Sequence, residues 1–326
     1  MAGTFVRALE WHLMTPLEWA ASGFEIRLTE SRDGRRTDSE IEDLIGENWE
    51  TRQADRTRKG IFVEEPWPKT GYRAHHLNLD ERVIEVMVSP ANWKSMQGTH
   101  YNPKFFELML KRFNERTWSK LSLPSAHDNP LFQSFIAPYL DGALGQCSVI
   151  YTASGIPIGF RSDEVGVADN IWHIPGGYLP GPGKGIYKSE VPILEGKPIV
   201  EKNVFTLDVE SMRANASVNL FKESGGLLPP EKAKIDYIGV IYELPNHSVQ
   251  FLSVVHTGIE SFGRNWEHKE GQMRHYRTDD IPSLVNNPTS VLGGRILRGG
   301  EANLVVAYVR EKGLERIAEF QHVRNA

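Results

Sequence analysis

The residues best placed for chemistry lie between Ile171 and Leu228. Trp172-His173-Ile174-Pro175-Gly176-Gly177 opens the stretch, a Gly/Pro/Lys-rich excursion follows, and a helical run from Glu210 to Glu223 stops at Gly225-Gly226. Asn219, Lys222 and Glu223 share one helix face, because residues three and four apart are neighbours. Met212, Ala216 and Leu220 form the opposite, core-facing stripe. Acids converging on one helix face beside a glycine turn can hold magnesium, which takes few protein ligands and prefers carboxylates. A divalent ion there would lower the pKa of a bound water and attract an anionic ligand. Lys222 opposes that arrangement. Unit charges about 4 Å apart in a partly screened site interact by about 4 kcal/mol, so this ammonium either takes the place of the ion or swings into solvent.

Glu267 and Glu270 lie in a charged loop before a predicted strand at 272–276, and a loop carboxylate within hydrogen-bond reach of a water can act as its base. The plain alternative for both is a charged surface. Lys184, within Gly181-Pro182-Gly183-Lys184-Gly185, and Lys188 suit a lid over a site better than a phosphate loop. The prolines remove backbone donors, and the Gly-Lys-Ser/Thr order is missing. No His-x3-His or paired-cysteine spacing indicates zinc, and no Gly-x-Ser-x-Gly setting supports a serine hydrolase.

The elements that must position these residues are legible in part. Ile41, Leu44, Ile45 and Trp49 recur at helical spacing behind the capping residue Asp38, predicting a helix over 38–52. Strands are predicted over 72–79 and 81–88, and a helix over 101–118 after Asn102-Pro103. A Pro/Ser/Asp/Asn cluster at 122–130 marks a linker. Beyond it, two apolar runs around Ala153-Ser154-Gly155 predict a hairpin, as do the runs 235–244 and 249–256. An acidic cap at 278–282 leads into a helix through Val285. The tail 301–320 fits helix or strand, and helix is preferred on fold grounds.

The chain has 326 residues and a formal net charge of -5. That length suggests two parts, here an N-terminal α/β extension over 1–140 and a second domain over 141–326. The charge, with no basic tract to offset it, argues against nucleic acid as the main partner. No apolar run approaches the roughly 20 residues needed to span a bilayer, and no secretory signal is visible. Cys147 alone permits no intrachain disulfide, which fits a reducing, cytoplasmic setting.

The ordered series of motifs resembles the Nudix superfamily and, within it, the mammalian UDP-sugar diphosphatase subfamily that carries an N-terminal extension. Trp49-Glu50-Thr51-Arg52 and Trp93-Lys94-Ser95-Met96-Gln97-Gly98-Thr99 match that extension; Leu144-Gly145 to Thr152, Arg161-Ser162 and Ile174-Pro175-Gly176-Gly177 follow in order and spacing. The resemblance implies a Nudix-type α/β/α sandwich with a mixed sheet. It also implies a nucleoside diphosphate linked to another moiety as ligand, UDP-sugar or ADP-ribose in type, hydrolysed with Mg2+ or Mn2+. Against the Nudix box, Glu210, Leu220, Glu223 and Gly225 agree, whereas Val204, Val218, Asn219 and Lys222 depart. In the enzymatic reading Glu223 is the surviving metal ligand, Glu210 supports the loop or metal, and Glu267 or Glu270 is the base. Arg161, Gly176 and Gly177 orient phosphate, with Lys222 and Lys184 as further ligand contacts. In the rival reading the chain is a catalytically silent nucleotide sensor or interaction module, with a protein partner or a second copy of itself.

Overall fold

The computed structural model describes residues 3–8, 10–31, 34–59, 70–118, 120–127, 129–142, 144–160, 171–180, 206–224, 226–243, 248–262 and 272–325. Its strands are β1 (Val6–Arg7), β2 (Trp11–Leu13), β3 (Glu25–Glu30), β4 (Thr70–Asp80), β5 (Val83–Asn92), β6 (Gly145–Tyr151), β7 (Ile156–Phe160), β8 (Trp172–His173), β9 (Gly176–Tyr178), β10 (Ile235–Glu243), β11 (Ser248–His256), β12 (Met273–Tyr276) and β13 (Arg324–Asn325). Its helices are α1 (Trp19–Ser22), α2 (Ser39–Arg58), α3 (Trp93–Thr99), α4 (Pro103–Arg116), α5 (Leu123–His127), α6 (Pro130–Ile136), α7 (Val209–Glu223), α8 (Ile281–Asn286), α9 (Pro288–Leu292) and α10 (Arg298–Lys312).

The architecture is the α/β/α sandwich with a mixed sheet that the sequence suggested. A seven-stranded sheet in the order β13-β1-β2-β10-β11-β6-β9 forms its middle layer. β6 runs parallel to β11 and antiparallel to β9. Cys147, Val149, Leu252 and Val254 face α10 on one side; Ile150, Val240, Phe251 and Val255 face α7 on the other. A strand covered on both faces is apolar at successive positions rather than alternate ones, which is why β6 reads as an unbroken buried run.

α10 settles the ambiguous tail. Every residue from Ala302 to Val309 is buried, so this stretch of the helix carries no exposed polar face from which helical periodicity could be read. α2 opens where the capping pattern places it, with Asp38 accepting from the Ile41 backbone N–H at 3.1 Å.

Two expectations need correction. The runs flanking Ala153-Ser154-Gly155 do not form a hairpin ladder: β6 joins the central sheet, whereas β7 pairs with β8 and β12 in a second one. Each run is buried on both faces and finds a different partner, and only Thr152 and Gly155 bridge directly. The division at residue 140 fails at its start, because β2 pairs with β10 through Leu13 and Ile241. Residues 6–13 therefore belong to the second part. The extension is not an independent core either. Ile26, Ile84, Val86 and Val88 of its sheet β3-β5-β4 share one cluster with Met212, Ala216 and Leu220 of α7. Its helices α2, α4 and α6 gather around Phe105, Met109 and Phe132 in a separate cluster.

Candidate functional site

α7 meets β9 through three residues spaced by four. Asn215 Nδ2 donates to the Tyr178 carbonyl at 3.4 Å. Asn219 lies on Gly177, where a Cβ would stand 2.6 Å from its Nδ2. The Gly176 N–H donates to the Glu223 carboxylate, 3.0 Å from Oε2 and 3.3 Å from Oε1. A helical stripe thus runs along consecutive strand residues, and the two glycines are required because side chains there would fill the contact. On Gly176 a Cβ would come within 2.6 Å of the Gln146 carbonyl.

A cavity of about 380 Å³ borders this strand. Gly176, Gly177 and Tyr178 supply one edge, Gln146, Cys147 and Gln250 the strand ends, and Arg298, Gly299 and Gly300 the start of α10. Met96, His100 and Tyr101 close a further side, so the extension forms part of the wall. Tyr101 is 37% exposed as a residue, yet its hydroxyl lies deep, hydrogen-bonds with Tyr178 and is raised well above the usual phenol value, chiefly by burial. Trp93 packs its ring 6.1 Å from that of Tyr178. α3 is held firmly: Gly98 sits so close to α2 that a Cβ would meet the Ile45 Cα at 2.7 Å.

Glu243 lies at the cavity, 6% exposed. Burial pushes its carboxyl upward; Ser248 Oγ, donating at 2.6 Å, the Arg298 charge and the Gly299 N–H oppose that shift. The Cys147 thiol is raised by burial, with Glu243 and Glu223 acting in the same direction. A thiol held protonated in this way is a poor nucleophile.

Of the residues singled out from sequence, Gly176 and Gly177 line the cavity. Glu223 stands against the backbone of Gly176, and its role in the geometry is to hold that strand. Glu210 is not beside it. The two stand thirteen positions apart on one helix, about 20 Å at 1.5 Å per residue, and Glu210 pairs with Arg213 at a side chain that is 81% exposed. They cannot hold one ion. Lys222 belongs to α7, but its side chain, together with Arg161, Lys184, Lys188, Glu267 and Glu270, lies outside the described residues. Among the described residues no three His, Cys, Asp or Glu side chains group as a metal site. No described helix is long and apolar enough to cross a membrane.

Sequence reasoning missed Glu10, Tyr101, Glu243, Arg295 and Arg298. The signal available was Arg298-Gly299-Gly300 directly before the apolar run of α10, a charged residue and two small ones at a helix start.

No family model and no curated protein matches the chain. Among solved structures it is similar to the MutT protein of Methanosarcina mazei Go1, at 12% identity and TM-score 0.31 over 52% of this chain and 94% of that one. It is also similar to a bifunctional NMN adenylyltransferase/ADP ribose pyrophosphatase of Francisella tularensis complexed with AMP and a Mn ion. That match has 10% identity and TM-score 0.27, over 69% of this chain and 64% of that one. A second structure of the bifunctional protein matches at 10% identity and TM-score 0.26, over 69% and 63%.

Proposed function

We propose that the cavity binds a nucleoside diphosphate linked to another moiety, UDP-sugar or ADP-ribose in type. The observation that carries this reading is the clasp of Glu223 on Gly176, which fixes the Pro-Gly-Gly strand as an edge of the cavity. Backbone at two glycines lets a phosphate approach closely, since no side chain intervenes. The cavity volume, about 380 Å³, falls within the range of small-molecule sites, and Tyr101 and Tyr178 offer aromatic surface to a planar base. Lys222, Lys184 and Arg161 are the further phosphate contacts of this proposal.

Hydrolysis is the second reading, favoured by the carboxylate of Glu223 lying one backbone unit behind the cavity edge. A divalent ion would supply charge neutralisation and an acidified water; Glu267 or Glu270 would have to complete its ligand set or serve as base. The test is incubation of the purified protein with UDP-sugars, ADP-ribose, NAD and dinucleoside polyphosphates, with magnesium or manganese, following turnover and thermal shift together. Stabilisation without product supports a binding module. Turnover abolished by Glu223→Gln supports the hydrolase, and a gain of turnover in Lys222→Glu identifies charge reversal as what silenced the site. No shift and no turnover with any compound rejects both.

A further inference from the structure

Arg298 Nε lies 3.0 Å from Glu10 Oε2, but its N–H is not aimed there and makes no hydrogen bond. A buried donor without an acceptor costs about 1–3 kcal/mol, so a ligand bringing acceptors relieves a penalty already present in the free protein.

The same cavity holds two guanidinium groups. Arg295 Nη2 donates to Glu10 Oε2 at 2.9 Å, and Arg298 Nη2 to Glu10 Oε1 at 3.3 Å. The Arg298 charge also acts on Glu243 and on the Tyr101 hydroxyl, so it faces the interior as well as the rim. Glu10 comes from the turn between β1 and β2, remote in sequence from the residues it binds, and its carboxylate is itself a cavity wall. Two forks converging on one carboxylate form the geometry that also grips a phosphate.

We propose that Arg295 and Arg298 form an anion subsite of this cavity for a phosphate or diphosphate group, and that Glu10 occupies it in the free protein as an internal competitor. The inference rests on reading the cavity as a ligand site. Binding exchanges one acidic group for another on the same two guanidiniums, and Glu10 turns outward. Affinity is therefore set by a contest between the ligand anion and the chain's own carboxylate.

The test is calorimetric titration of the full chain and two variants, Arg298→Gln and Glu10→Gln, with inorganic diphosphate and, separately, with UDP-glucose and ADP-ribose. Loss of a charge-assisted pair weakens diphosphate binding by about tenfold or more in Arg298→Gln, and removal of the competitor strengthens it severalfold in Glu10→Gln. Opposite shifts are the expected result, and a merely structural ion pair would not give them. Nucleotide binding with diphosphate affinity equal in all three proteins, or lowered in both variants, overturns the subsite and leaves the nucleotide reading standing. Opposite shifts with diphosphate and no nucleotide binding keep the subsite and reject the nucleotide. No binding of any probe overturns both.

Discussion

The Glu223 carboxylate receives the backbone N–H of Gly176 at 3.0 Å, across 47 positions of sequence. It ties the last turn of α7 to the strand that edges the cavity. A hydrogen bond to a charged group is worth about 1.5–3 kcal/mol.

Glu223→Gln is expected to weaken that tie by roughly 1–2 kcal/mol, since a neutral amide oxygen still accepts but less strongly. Glu210→Gln, at an exposed position, is expected to stay within about 0.5 kcal/mol of wild type. Chemical denaturation of both variants checks the contrast. Equal losses would show that the clasp contributes nothing particular.

Gly177 and Asn219 should be coupled. Gly177→Ala drives a Cβ into Asn219 Nδ2; the amide must turn aside, at an expected cost of about 1 kcal/mol. Asn219→Ala removes the obstructing amide, so the double variant should recover much of the loss. A double-mutant cycle with no interaction energy would contradict the contact.

Gly98→Ala offers a test that touches no cavity residue. Its Cβ would meet Ile45 backbone as well as side chain, forcing α3 away from α2 and moving Met96, His100 and Tyr101. Ligand affinity should fall while α7 and its clasp remain intact. Unchanged affinity, with the protein still folded, would show that the extension does not shape the site.

The pH dependence of stability carries a signature of His322. Its Nε2 lies 3.0 Å from Glu301 Oε1, which also accepts from Trp11 Nε1 at 2.9 Å. The Glu301 hydrogen bond raises the imidazole above its ordinary value, outweighing burial. A raised histidine contributes stability fully below its unfolded pKa, and that contribution disappears as pH rises through the folded value. His12 and His275 are lowered by burial, with Arg7 also acting on His12, and give the opposite sign. Urea midpoints of wild type minus His322→Gln should therefore decline from about pH 6 upward. A flat difference would show that the His322–Glu301 pair contributes no stability.

Local patterns exposed those elements whose surroundings are one-sided. α2 and α4 each keep an outer polar face, so spacing and caps could be read directly. β10 and β11 form the hairpin their flanking runs announced. β6 and β7 misled because burial on both faces erases alternation, and adjacency then resembles pairing. The site was legible where it depends on α7 and the two glycines that meet its polar stripe. Glu10, Tyr101 and Arg298 escaped because each arrives from a distant part of the chain and carries no local motif.

β2 lies beside β10 in the central sheet, and β1 lies beside β13. During synthesis, Trp11 and Leu13 must wait for Glu243 and Ile241 to leave the ribosome, and Val6 for Asn325. The segment between β2 and β6 can begin packing its α2, α4 and α6 helices first, but β3 and β5 keep an open apolar face until α7 arrives. Newly made chains thus pass through an interval with sticky, unfinished sheets, and that interval is where chaperones would be needed most.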